Sequence, residues 1–148
     1  MSFEESAPSE PKKDYDFETT SVQGKVYNVE LLESSASKLE AQEMPLDQLA
    51  EAVAEGHYYW EDREGKKLGP ADILKDWEAA QANEAWTDHV ETIKRANLAN
   101  PIWQDKEGFV FNGMHRLTKA FLDAVPTILV KRFETLPEEA VVKENYGG

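Results

Sequence analysis

The sequence predicts an α+β fold: a small mixed sheet with flanking helices and a helical insert. Three observations carry that prediction. The C-terminal third runs through two short apolar stretches, Ile102–Gln104 and Phe109–Phe111, then a helical pattern, then Thr127–Phe133 (TILVKRF). Two earlier windows have helical periodicity, Leu46/Leu49/Ala50/Val53 and Trp86/Val90/Ile93. Near the start, Lys25–Leu32 (KVYNVELL) has the β-branched and aromatic content of a strand.

The elements follow in order. Lys25–Leu32 is the first expected strand, and Leu39–Met44 would be a second, leading into Pro45. Leu46–Ala54 reads as an amphipathic helix that Gly56 ends. Tyr58–Trp60 suits a short strand before a charged turn through Asp62–Lys67. Pro70 suits the first turn of a helix whose apolar side is Ile73, Leu74 and Trp77. After Asn83 a further helix carries Trp86, Val90 and Ile93, with His89 on or beside that face, and Asn100-Pro101 ends it. Asp105–Gly108 joins the next two strands as a hairpin, with Gly108 at the left-handed position. Asn112 can cap the helix that follows, whose apolar face is Met114, Leu117, Ala120, Phe121 and Ala124. Pro126 starts the last strand.

Composition bounds the function. The 148 residues are the size of one domain. Without Cys there are no disulfides, thiolate nucleophiles or Cys–zinc sites, and this fits a reducing compartment. A net charge of −13 argues against non-specific binding to DNA or anionic membranes. No apolar run approaches a membrane span, and the opening MSFEESAPSEPKK has no apolar core of a secretory signal; both point to a soluble, cytoplasmic protein. Residues 1–22 hold six acids and two lysines among Ser, Thr and Pro, and are expected to be a disordered acidic tail. The folded domain is expected over 23–134, with the helical insert at about 69–98, and 135–148 as a flexible tail whose Val141 and Val142 could dock on the domain. Within this acidic chain the window Lys94–Arg132 is basic, with seven Lys or Arg against three acids.

Within that basic window, the segment most suited to chemistry is Phe111-Asn112-Gly113-Met114-His115-Arg116, at a strand-to-helix junction. The first backbone N–H groups of a helix lack internal partners and, with the helix dipole, form an anion site. Gly113 removes a Cβ where an oxyanion would approach, and His115 and Arg116 can add donors. The same residues would also suit an ordinary capped helix with an exposed arginine. The three His (57, 89 and 115) are scattered, so no zinc site is expected.

Pro101–Phe133 (PIWQDKEGFVFNGMHRLTKAFLDAVPTILVKRF) resembles the ParB/sulfiredoxin-like superfamily, in which Asp/Asn-Gly-x-His/Arg-Arg opens a helix after two strands. Met44-Pro45-Leu46-Asp47-Gln48-Leu49 is similar to the opening of ParB-type domains. The resemblance spans Leu39 to Phe133 and is closest to small stand-alone ParB-like bacterial proteins. It implies a ParB/sulfiredoxin-like sheet and a cradle for nucleotide phosphates at Gly113–Arg116. Members include partition proteins that hydrolyse CTP, sulfiredoxins that use ATP, a free-serine kinase and nucleases. Met114 stands where a sulfiredoxin needs Cys, which excludes sulfinate reduction. Asn112 replaces the commoner Asp and removes one metal or base carboxylate.

The expected ligand is therefore a nucleotide (ATP, ADP or CTP), with Mg²⁺ carried on its phosphates, or another phosphate compound. Asn112, Gly113, Met114, His115 and Arg116 would hold the phosphates. His115 would be the proton-transfer group if phosphoryl transfer or nucleotide hydrolysis occurs. Lys94, Arg95, His89 and Trp60 are candidate lining residues. Two alternatives stand beside this: a non-enzymatic module that docks a protein partner on the acidic insert, and a ParB-like nuclease or DNA-binding protein, against which the net charge argues.

Overall fold

Asn28 decides how the N-terminal third folds. Its extended backbone ends a strand, and its side chain accepts a hydrogen bond from the Leu31 N–H at 3.3 Å, so the chain turns into a helix. The computed structural model describes residues 18–22 and 24–143. Strand β1 (Thr19–Val22) pairs antiparallel with β2 (Lys25–Asn28), and helix α1 (Val29–Ala36) follows. The single strand expected over Lys25–Leu32 is thus corrected to a strand and a capped helix. Val29, Leu32 and Ala36, at i, i+3 and i+7, are the buried face of that helix.

Strand β3 (Gln42–Pro45) begins later than the expected Leu39. The expected helix over Leu46–Ala54 forms as a 3₁₀ winding over Leu46–Val53 that buries Leu46, Leu49 and Val53. Strands β4 (Trp60–Glu61) and β5 (Lys67–Leu68) make a small hairpin, closed by Asp62, which accepts from the Glu64 and Lys66 N–H groups. The insert follows: α2 (Pro70–Lys75), α3 (Trp77–Ala82) and α4 (Thr87–Arg95), with a 3₁₀ turn at Glu84–Trp86. Asp76 and Asn83 cap their elements through side-chain oxygens at 3.0 Å. Leu68, Ile73, Ala80, Val90 and Ile93 give this segment a core of its own.

The C-terminal part is β6 (Ile102–Asp105), β7 (Val110–Asn112), α5 (Met114–Leu122) and β8 (Thr127–Phe133). The four-stranded sheet has the order β3-β8-β6-β7. β6 and β8 are parallel, with Ile102 opposite Val130, and the other pairs are antiparallel. The mixed sheet and its helices make the chain α+β. A parallel pair requires a crossover, and α5 supplies it. One sheet face (Ile102, Ile128, Val130) packs on Met114, Leu117 and Ala120 of α5 and on the 3₁₀ winding. The other face (Trp103, Phe111 and Phe133, with ring centroids 5.3–6.1 Å apart) packs on α1, Val22 and Tyr27.

Both expected tails contribute structure. Thr19–Val22 lie in a strand with Val22 buried, and β9 (Val141–Lys143) pairs antiparallel with β2 to complete a three-stranded sheet. Low average hydropathy hid these short segments, which are ordered by pairing and by one or two buried side chains each. The remaining tail positions, 1–17 and 144–148, lie outside the described residues. Among the described residues, no helix is long and apolar enough to cross a membrane.

Candidate functional site

The β7–α5 junction is built around Gly113. Its φ is +99°, a left-handed conformation that side chains resist, and it is the residue that precedes α5. A Cβ there would sit 2.7 Å from Ile102 Cγ2 and 3.0 Å from Arg116 Nη1. The space that glycine leaves is therefore filled by the protein's own side chains, a correction to the expectation that an oxyanion would use it. Asn112 is corrected as well: it ends β7, Gly113 takes the cap position, and no side chain caps α5. The first turn closes through Leu117 N–H to the Gly113 carbonyl at 2.8 Å. The N–H groups of Met114, His115 and Arg116 thus start the helix without an i−4 carbonyl partner.

The four side chains of this segment have different fates. Met114 is buried in the core, so only its backbone can meet a ligand. Arg116 is half-buried and donates from Nη1 to the Pro101 carbonyl at 2.9 Å, committing one of its donors to the loop before β6. Burial lowers its pKa, but an arginine remains a cation at any physiological pH. Asn112 is partly exposed at the mouth of the junction.

His115 is held by the insert. Its ring stacks on Trp60 at 4.3 Å between centroids and 8° between planes. Its Nε2 lies 3.0 Å from Nδ1 of His89, and His89 Nε2 lies 2.7 Å from the Glu61 carbonyl. Burial, with His89 and Arg116 nearby, pushes the His115 pKa down to about 3. Burial also lowers that of His89, against the opposing pull of the Glu61 carbonyl and of Asp88 and Asp62. Neither ring offers a positive charge at neutral pH, so His115 is not the cationic phosphate donor that sequence reading allowed. Tyr58 stands edge-on to Trp60 at 5.7 Å, and burial raises the pKa of its hydroxyl. Trp60 and His89 form the wall behind His115 and do not line the cleft, which corrects their expected place.

The cleft itself lies at the start of α5 and has a volume of about 440 Å³. Arg95, Asn97, Asn100, Asn112, His115 and Arg116 line it, together with Thr92 and one carboxylate, Glu18. Arg95 is exposed and has no ion-pair partner among the described residues. Lys94 points away and pairs with Glu91 at 3.8 Å, so it does not line the cleft. One step along a helix turns a side chain by roughly 100°, which separates these two neighbours.

The sequence left Thr92, Asn97 and Asn100 unassigned. Asn97 and Asn100 lie in the irregular Ala96–Pro101 connection, and the signal available was two asparagines spaced three apart before a proline. Among the described residues, no group of three or more His, Cys, Asp or Glu side chains comes together to hold a metal ion. No protein-family model, curated protein or solved structure matches this chain.

Proposed function

We propose that this protein binds a phosphate-bearing small molecule of the nucleotide class in the cleft at the start of α5. One observation carries the reading: two arginines, Arg95 and Arg116, and three asparagines converge on an uncapped helix N-terminus, in a chain whose net charge is −13. Local positive charge inside an acidic surface favours an anionic ligand over an anionic polymer, because the surrounding carboxylates repel a long phosphate backbone. The cleft volume is within the range of small-molecule sites and suits a phosphate group with an attached sugar.

The division of labour follows from the geometry. The α5 N–H groups take phosphate oxygens, Arg95 supplies an uncommitted guanidinium, and Arg116 adds charge from a fixed position. Asn97, Asn100 and Asn112 offer amides for neutral oxygens of the ligand. The ParB/sulfiredoxin-like resemblance of Pro101–Phe133 points to the same segment and the same ligand class, with Mg²⁺ travelling on the nucleotide. If the bound phosphate reacts, positioning and charge neutralisation provide the catalysis; His115, its pKa held down to about 3, accepts a hydrogen bond but is a weak base at neutral pH.

Isothermal titration with ATP, ADP and CTP, each with and without Mg²⁺, tests this. Wild type should bind at least one of them saturably, and Arg95→Ala should weaken that binding about tenfold or more. No heat at millimolar nucleotide would overturn the reading and leave the acidic insert, as a protein-docking surface, the better account.

A further inference from the structure

The hydrogen-bond chain behind His115 fixes which of its nitrogens carries the proton. The Glu61 carbonyl can only accept, so the 2.7 Å contact requires a proton on His89 Nε2. A neutral His89 then has a bare Nδ1, and the 3.0 Å contact to His115 requires the proton on His115 Nε2. A neutral His115 is left with a bare Nδ1, and no residue among those described is hydrogen-bonded to it. The alternative, a doubly protonated His89, would bury a cation beside the His115 ring, and burial disfavours the charged form. The anions that could compensate it are engaged: Asp88 pairs with Arg63 at 2.9 and 3.1 Å, and Asp62 accepts two backbone N–H bonds.

We propose that His115 Nδ1 is a fixed hydrogen-bond acceptor in the cleft, so that the site selects an oxyanion carrying its own proton over one that carries none. This rests on the anion-binding reading above. Arginine and backbone N–H donors attract any tetrahedral oxyanion and do not tell phosphate from sulfate. A bare imidazole nitrogen does. It takes the O–H of a hydrogenphosphate as a hydrogen bond, but meets only lone pairs on sulfate. Inorganic phosphate keeps at least one O–H across the neutral range. A phosphomonoester keeps one only below its second pKa of about 6. Among the phosphate groups it can bind, the cleft therefore favours one that still carries a proton, and the two sources of such a group, free phosphate and a terminal monoester, separate by pH.

The test measures binding of inorganic phosphate, sulfate and methyl phosphate at pH 5.5 and pH 8. Wild type should bind phosphate at least about tenfold more tightly than sulfate at both pH values, the scale of one unmatched polar contact. Methyl phosphate should follow phosphate at pH 5.5 and sulfate at pH 8. His115→Phe keeps a ring against Trp60 and should erase the preference, whereas Arg95→Ala should weaken all three anions together. Equal binding of phosphate and sulfate by wild type would overturn this inference and leave the binding reading intact. Binding of none of the three would overturn this inference, while the nucleotide titration decides the binding reading separately. Nitrogen-15 spectra of the histidine rings of wild type give an independent readout: His115 should carry its proton on Nε2 at pH 7. A proton on Nδ1, or on both nitrogens, would also overturn the inference.

Discussion

Lowering the pH from 8 to 5 should remove about 2 kcal/mol of stability through His115 alone. The unfolded ring ionises at 6.5 and the folded ring at about 3, held down chiefly by burial. At pH 5 the unfolded chain has therefore taken up a proton that the folded chain refuses. The span of about 1.5 pH units between 6.5 and 5, at about 1.4 kcal/mol per unit, gives the figure. The sign follows from the same comparison: the stability is fully present above 6.5 and is lost progressively as pH falls towards 3. His89, lowered in the same direction, adds to the loss over the same window. The easing of repulsion in a chain of net charge −13 acts the other way, but it acts on wild type and variant alike. Urea unfolding of wild type and His115→Phe at pH 8, 6.5 and 5 isolates the ring. The stability of wild type relative to the variant should fall by about 2 kcal/mol between the first and last pH. Parallel curves would refute the assignment of a neutral, partly buried His115.

Three further predictions concern the frame that holds the site. Gly113→Ala should cost about 2 kcal/mol or more in urea unfolding, since it forces a side chain into φ +99° and against Ile102; a change under about 0.5 kcal/mol would contradict the geometry. Asn28→Ala should cost about 1 kcal/mol by removing the cap of α1, measured the same way. Asn112→Ala should leave stability within about 0.5 kcal/mol, because Asn112 does not cap α5, while weakening nucleotide binding in titration calorimetry.

Much of the C-terminal half was legible because its signals are local. Thr127–Phe133 forms over the expected residues: Thr127, Ile128 and Val130 suit a strand, and Ile128 and Val130, two apart, share the face that packs on α5. Met114, Leu117 and Ala120 mark α5 by spacing alone, and Gly108 takes the expected positive φ in the hairpin. The N-terminal third was less legible. KVYNVELL has strand composition throughout, and only the capping geometry of Asn28 shows that the second half is helical. Strands β1 and β9 are three or four residues long, and β2 and β9 pair across more than a hundred residues, which no local pattern records. At the site, the spacing of Asn112–Arg116 identified the junction but not the roles. Met114 turns inward, Lys94 turns away, and His115 takes its protonation state from His89 and Glu61, which reach it only when the insert packs on α5.

The central claim is that the start of α5 binds phosphate. A two-dimensional amide NMR titration with ATP, ADP and CTP, with and without Mg²⁺, on wild type and Arg95→Ala tests it most directly. The account predicts saturable shifts confined to residues 112–117 and 95–100, weakened in the variant. Shifts centred elsewhere, or none at millimolar nucleotide, would contradict it.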